Sequence, residues 1–122
     1  MEKKSILIVE DEPIIAYELS EMLEDEGYTV YPVLEHAEDI LRAFSKYQPD
    51  LVIMDINLKG YIDGIDAVRR LRLMNDELPV IYITAFNTDS TRAQALKTKP
   101  KAYLTKPIHD GKLLSTVRTC LV

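Results

Sequence analysis

The chain has 122 residues, of which 47% are hydrophobic, and it carries a formal net charge of −5. This length supports one compact domain with a real core, is too short for two ordinary domains, and contains no apolar run near the roughly 20 residues that span a bilayer. The acidic balance argues against direct nucleic-acid binding, which depends on clustered lysine and arginine.

The first predicted element is a short apolar strand, Ser5-Ile6-Leu7-Ile8-Val9, which ends on the acidic run Glu10-Asp11-Glu12. Pro13 suits the first turn of a helix, because its missing N–H has no partner there. Apolar residues then recur at helical spacing until Gly27, a typical C-terminal stop. Acidic residues also favour helix N-termini, so the acidic run alone does not distinguish a helix start from a functional site.

A second strand is predicted from Tyr28 to Leu34. Pro32 places it at an edge of the sheet, because proline cannot donate a hydrogen bond to a neighbouring strand. An apolar stripe over residues 37–44 predicts the second helix, and Gln48-Pro49 ends it.

The central strand is Leu51-Val52-Ile53-Met54-Asp55. Its four consecutive apolar residues indicate burial on both faces of a parallel sheet. Such packing does not call for Asp55, which stands at the carboxyl end of the strand, where open parallel sheets bind their ligands. Asp55 is therefore the leading candidate for chemistry.

The rest of the chain continues the alternation. Helical spacing from Ile65 predicts the third helix, and Val80 to Thr84 reads as a fourth strand that ends on a hydroxyl group. The fourth helix, within 90–99, has few apolar residues and is expected to be the most weakly packed. Residues 102–105 form the last strand, Lys106-Pro107 follows it, and Asp110 opens the last helix.

Five strand and helix pairs predict an α/β fold with a doubly wound (βα)5 parallel sheet. The strand order 2-1-3-4-5 places the proline-bearing second strand at an edge and opens a crevice between strands one and three. In this order Glu10, Asp11 and Asp55 converge.

Three carboxylates in one crevice require positive charge. At an effective dielectric constant of about 20, each pair about 4 Å apart repels by roughly 4 kcal/mol. A divalent cation together with Lys106 would balance three negative charges. Mg²⁺ is favoured because it keeps most of its waters and takes only one or two protein carboxylates. Asp55 is anionic at neutral pH and needs no base to become a nucleophile.

Five pieces of the sequence together resemble the receiver domain of bacterial and archaeal two-component response regulators. These pieces are Ile6-Leu7-Ile8-Val9-Glu10-Asp11-Glu12, Val52-Ile53-Met54-Asp55-Ile56-Asn57, Asp63-Gly64, Val80-Ile81-Tyr82-Ile83-Thr84-Ala85 and Tyr103-Leu104-Thr105-Lys106-Pro107. The resemblance implies one flavodoxin-like receiver domain over residues 1–122. It also implies that Asp55 accepts a phosphoryl group from the phosphohistidine of a sensor histidine kinase. Such a domain catalyses only its own phosphorylation and dephosphorylation and is not otherwise an enzyme.

The resemblance assigns the metal site as well. Glu10 and Asp11 form the acidic pair, and Mg²⁺ is bound by Asp11, Asp55 and the backbone carbonyl of Asn57. A cytoplasmic protein is expected, because Cys120 is the only cysteine and no secretory leader precedes the first strand. The apolar end of the chain at residues 120–122 slightly favours a last helix that continues in a longer protein.

The switch residues follow from the same resemblance. Thr84 and Lys106 contact phosphoryl oxygens, the Lys106-Pro107 peptide bond is cis, and Tyr103 is the aromatic residue that responds to Thr84. Phosphorylation then changes the face made by the fourth helix, the fifth strand and the fifth helix, where a downstream protein or effector domain binds.

The loop after Asp55 departs from the commonest family pattern. Lys59 stands where a proline is usual, and the loop is one residue longer, as in a variant with the pattern Leu-x-Gly-x-x-Asp-Gly. The partner-facing loop is therefore expected to differ in shape.

Two other functions fit parts of the sequence. A phosphorylation-independent interaction module would share the fold, although such modules typically lose the residues that correspond to Asp55 or Lys106. A Mg²⁺-dependent aspartyl phosphatase would need a general acid where Asn57 stands, and an amide cannot serve. Flavin binding is disfavoured because acid replaces a phosphate-cradling loop after the first strand.

Phe86 lies two positions after Thr84, where family members that lose the phosphoryl group quickly often carry a polar residue. Its bulk should hinder the attacking water. We expect slow loss of the phosphoryl group and faster loss in Phe86→Glu, followed as decay of the phosphorylated mass. Equal or slower decay in the variant contradicts this prediction.

Overall fold

The structure is a computed structural model that describes residues 3–85 and 87–122. Across these ranges the chain forms a five-stranded parallel sheet with helices on both faces. The strands are β1 (Ser5–Val9), β2 (Thr29–Val30), β3 (Leu51–Asp55), β4 (Val80–Thr84) and β5 (Ala102–Thr105). The helices are α1 (Pro13–Asp25), α2 (Ile40–Tyr47), α3 (Gly64–Met74), α4 (Asp89–Leu96) and α5 (Asp110–Cys120), and a 3-10 turn at Ala37–Asp39 precedes α2.

The strand order is β2-β1-β3-β4-β5, which confirms the predicted doubly wound topology. The register pairs Val9 with Met54, Asp55 with Ile83, and Thr84 with Thr105. The carboxyl ends of β1, β3, β4 and β5 therefore meet at one edge of the sheet. The predicted functional residues lie at or just after these ends, except Tyr103, which lies within β5.

Side chains alternate between two apolar cores because successive residues of a strand point to opposite faces. In β3, Val52 and Met54 pack with α2 and α3, whereas Leu51 and Ile53 pack with α1 and α5. All five residues of β3, including Asp55, are buried. The central strand thus fixes the carboxylate of Asp55 on a rigid support.

The edge strand β2 is shorter than the predicted Tyr28 to Leu34. It covers only Thr29–Val30, and regular pairing stops before Pro32. Leu34 returns to β1, where its N–H donates to the carbonyl of Ile8 at 2.9 Å. The proline interrupts the ladder as expected at an edge, but it also divides the predicted strand.

Helix α4 buries only Ala95, which agrees with the expected weak apolar packing. Its C-terminal end is held by polar contacts instead. The hydroxyl of Thr98 donates to the carbonyl of Ala95 at 2.6 Å and contacts the hydroxyl of Tyr82 at 2.7 Å. The guanidinium of Arg72 donates to the carbonyl of Thr98 at 2.8 Å.

The described part of the chain contains no helix whose length and apolar character would let it cross a bilayer.

Gly64 begins α3 directly against the end of β3. A Cβ atom at this position would lie 2.1 Å from the backbone oxygen of Asp55, which cannot move without disturbing the strand. We predict that Gly64→Ala lowers the free energy of unfolding by about 3 kcal/mol, as overpacking of a core does. Urea unfolding measures this loss.

Gly111 in α5 provides the matched control, because a Cβ atom there meets nothing within 4 Å. Gly111→Ala is expected to be neutral or to stabilise by up to about 1 kcal/mol, since alanine favours helices. A Gly64→Ala protein as stable as Gly111→Ala would show that the start of α3 is not tightly packed against Asp55.

Candidate functional site

The candidate site lies where β1, β3, β4 and β5 end. Glu10 follows β1, Asp55 ends β3, Thr84 ends β4 and Lys106 follows β5. The N–H of Lys106 donates to the carbonyl of Thr84 at 2.8 Å, which ties the last loop to β4. The structure thus brings together side chains that lie up to 96 positions apart in the sequence (from 10 to 106).

The ammonium group of Lys106 joins two buried carboxylates. Its Nζ lies 2.7 Å from Oε1 of Glu10 and 3.1 Å from Oδ2 of Asp55. Burial by itself lowers the pKa of Lys106, but the contacts with Glu10 and Asp55 outweigh it and raise that pKa. Lys106 is therefore firmly protonated at neutral pH.

The acidic pair and Asp55 form one cluster. Ligand oxygens of Glu10, Asp11 and Asp55 all lie within 4.8 Å of one another. Glu10 is 1% exposed and Asp55 is 3% exposed. Burial and the neighbouring charge of Asp55 raise the pKa of Glu10, although the contact with Lys106 opposes the shift. The site therefore places three carboxylates against the single ammonium group of Lys106.

This donor set fits Mg²⁺, a hard cation that binds oxygen ligands. Oε1 of Glu10 is buried and, beyond its ion pair with Lys106, accepts no aligned hydrogen bond among the described residues. Asp11 is only partly buried and borders solvent, which leaves room for the waters that Mg²⁺ retains. Glu10, Asp11 and Asp55 could hold the ion together with the main-chain carbonyl of Asn57.

Asn57 connects Asp55 with Thr84. The N–H of Asn57 donates to Oδ1 of Asp55 at 3.1 Å, and its side-chain amide donates to Oγ1 of Thr84 at 3.0 Å. Thr84 is fully buried. The sequence predicts a metal-binding role for the main-chain carbonyl of Asn57 but does not predict the contact of its side chain with Thr84. The adjacency of β3 and β4 in the predicted strand order was the one signal that pointed to it.

Asp11 accepts a hydrogen bond from a distant loop. The N–H of Lys59 donates to Oδ2 of Asp11 at 3.2 Å. Lys59 lies in the loop between β3 and α3, the region where the sequence departs from the common pattern. The sequence predicts an unusual shape for this loop but not its contact with the acidic pair.

Tyr103 lies half-buried on β5. Its ring centroid is 6.3 Å from that of Tyr82, and the guanidinium carbon of Arg92 in α4 lies 5.1 Å from the Tyr103 ring centroid. Burial raises the pKa of Tyr103 above its ordinary value, and the charge of Arg92 offsets only part of this shift. Tyr103 therefore links β5 to α4.

The Lys106-Pro107 peptide bond is cis, as expected. Phe86, for which the sequence predicts an effect on loss of the phosphoryl group, lies outside the described residues.

A doubly wound sheet with an acidic crevice and a lysine after the last strand defines the receiver class of α/β domains. Residues 6–118 match the family model of the response regulator receiver domain, and the chain belongs to this family.

Individual relatives agree with this assignment. The transcriptional regulatory protein YkoG of Bacillus subtilis is 37% identical over 121 residues, which are 99% of this chain and 52% of YkoG. PilH of Pseudomonas aeruginosa is 33% identical over 95% of this chain and 96% of PilH. A CheY-like receiver domain protein of Methanospirillum hungatei has a TM-score of 0.92 at 25% identity, covering 98% of this chain and 94% of that chain. The chain spans about half the length of several curated relatives that it matches.

The raised pKa of Glu10 gives a prediction about the metal-free protein. The folded chain binds a proton at Glu10 more tightly than the unfolded chain, so this contribution to stability is lost as pH rises through the raised pKa. Glu10→Gln cannot ionise. We therefore expect the stability of Glu10→Gln relative to wild type to increase as pH rises above about 4.5.

Urea unfolding in EDTA over a pH series measures this difference. Glu24→Gln, at an exposed position of α1, controls for the loss of one surface charge. A stability difference between Glu10→Gln and wild type that stays constant or shrinks with rising pH contradicts the prediction.

Proposed function

We propose that Asp55 is a phosphoacceptor that takes a phosphoryl group from the phosphohistidine of a sensor histidine kinase, with Mg²⁺ as cofactor. The supporting observation is the setting of this carboxylate. Asp55 ends the central strand, its Oδ2 lies 3.1 Å from the ammonium of Lys106, and the carboxylates of Glu10 and Asp11 lie beside it. Phosphoryl transfer needs this kind of positioning and charge neutralisation more than covalent assistance.

In the transfer step, one carboxylate oxygen of Asp55 attacks the phosphorus atom. The new O–P bond forms as the P–N bond breaks, and the bonding electron pair stays on the imidazole nitrogen of the donor histidine. The product is an acyl phosphate on Asp55. No general base is needed, because a carboxylate attacks through an oxygen lone pair and has no proton to lose. Asp11, Asp55 and the carbonyl of Asn57 would hold Mg²⁺, which would supply positive charge next to the transferred group.

In the phosphorylated site we expect a new partner for the hydroxyl of Thr84. Its hydroxyl lies 3.0 Å from the side-chain amide of Asn57 in this structure. The phosphoryl group brings about 1.5 to 2 negative charges and three strong acceptor oxygens next to Lys106. We expect the hydroxyl of Thr84 to turn from Asn57 and donate to one of these oxygens.

A displacement of Thr84 can be transmitted to the protein surface through Tyr103 and Arg92. Tyr103 lies on β5 beside β4, and Arg92 stacks over its ring from α4. Helix α4 buries only Ala95 and so has little apolar packing to resist displacement. We propose that a downstream protein or effector domain recognises the α4–β5–α5 face in its phosphorylated arrangement.

The geometry disfavours the aspartyl phosphatase alternative. The residue two positions after Asp55 is Asn57, whose side-chain amide donates to Thr84 and cannot donate and regain a catalytic proton. Net hydrolysis of other substrates is therefore not proposed.

The test is the intact mass of the protein after incubation with acetyl phosphate, with and without Mg²⁺. We predict one phosphoryl adduct in wild type that requires Mg²⁺ and disappears in Asp55→Asn. Asp76→Asn is the matched control, because Asp76 is exposed and pairs with Lys99 rather than with the site. This variant should keep the adduct.

Two outcomes contradict the proposal. An adduct that persists in Asp55→Asn would place the chemistry on another residue. A folded wild-type protein without any adduct would instead favour an interaction module that works without phosphorylation.

A further inference from the structure

We propose that the main-chain N–H of Lys59 is a positioning group for the metal site, because it holds the carboxylate of Asp11 beside those of Glu10 and Asp55. This inference rests on the proposed function of the same acidic site. It concerns an amide group in the β3–α3 loop and not the lysine side chain.

Each carboxylate of the cluster accepts one hydrogen bond from a main-chain N–H. Oε2 of Glu10 accepts from Glu12 at 3.1 Å, and Oδ1 of Asp55 accepts from Asn57 at 3.1 Å. Both donors lie two residues along the chain from their acceptors, so these bonds are local.

The third bond is different in origin. Oδ2 of Asp11 accepts from the N–H of Lys59 at 3.2 Å, and the two residues are 48 positions apart. The placement of Asp11 therefore depends on the conformation of a loop that belongs to another strand and helix.

On the side away from Asp11, the loop lies against the segment that precedes α2. Gly60 has φ of +130°, and a Cβ atom there would lie 2.6 Å from Oε1 of Glu38. The carbonyl of Lys59 lies 3.4 Å from Nδ1 of His36. The main chain at residues 59–60 is thus placed between Asp11 on one side and the segment that precedes α2 on the other.

The residue type at position 59 matters for one chemical reason. Every amino acid except proline supplies a main-chain N–H. The side chain of Lys59 is exposed and takes part in no described contact with Asp11. Replacement by alanine keeps the hydrogen bond, whereas replacement by proline removes it.

Loss of the bond should weaken metal binding. Ligating carboxylates are held in place by hydrogen bonds from neighbouring groups, and removing such a partner typically costs 10- to 100-fold in metal affinity. The bond from Lys59 is a neutral N–H donating to one of several acceptor positions of Asp11. We therefore expect the lower end of this range.

The experiment is calorimetric titration of the metal-free protein with Mg²⁺. The Lys59→Pro variant should bind Mg²⁺ about 10-fold more weakly than wild type, and Lys59→Ala should stay within about twofold of it. A second variant replaces Lys59 by the corresponding hydroxy acid, so that an ester oxygen stands in place of the N–H without the proline ring. This ester variant should lose affinity as Lys59→Pro does.

The outcomes separate this inference from the proposed function. If wild type binds Mg²⁺ and is phosphorylated, but the proline and ester variants bind Mg²⁺ as tightly or more tightly, the positioning role of Lys59 is wrong and the phosphoacceptor proposal stands. If Lys59→Ala loses as much affinity as Lys59→Pro, the side chain acts rather than the amide, and the inference is again wrong. Absence of Mg²⁺ binding by wild type overturns both.

Discussion

The ammonium group of Lys106, between the carboxylates of Glu10 and Asp55, is the interaction on which the site depends. Its distances of 2.7 Å and 3.1 Å place one positive charge against two buried negative charges. Loss of one partner from a buried ion pair typically costs about 3–5 kcal/mol, because the remaining charge has no compensation. Asp11 adds a third carboxylate, so three negative charges share one ammonium. A divalent cation would complete the balance and, together with Lys106, would supply the positive charge that the transfer of a phosphoryl group needs.

Much of this arrangement was predictable from the sequence. The apolar runs of β1, β3 and β4 are short, continuous and bounded by turn residues, so their burial in a parallel sheet followed from hydrophobic pattern alone. Pro32 placed β2 at the edge, and that placement selected the strand order which brings Glu10 next to Asp55. Since the carboxyl ends of parallel strands share one edge, the residues that follow them were expected to meet. The hydrophobic pattern and the family resemblance thus predicted the same site, the crevice that holds Glu10, Asp11 and Asp55.

The remaining features depend on contacts that pattern cannot specify. The bond from Asn57 to Thr84 requires the side-chain rotamers of two residues on neighbouring strands, and the bond from Lys59 to Asp11 requires the path of an irregular loop. Neither leaves a periodic signal in the sequence. Helix α4 ends at Leu96, before the predicted Lys99, because its last turn is fixed by the polar contacts of Thr98 rather than by apolar spacing. The fold itself is shared with the receiver domains that this chain resembles.

The excess of carboxylates over ammonium groups is best tested by the urea unfolding of the wild-type protein in Mg²⁺, compared with unfolding in Na⁺ at matched ionic strength. If three carboxylates are held in excess of one ammonium, Mg²⁺ must stabilise the folded chain beyond the effect of salt. When the free Mg²⁺ concentration is a hundredfold above the dissociation constant, binding raises the free energy of unfolding by about 2.7 kcal/mol. We expect this gain in wild type and its loss in Asp11→Asn. Equal unfolding curves in Mg²⁺ and Na⁺, or an undiminished gain in Asp11→Asn, would contradict it.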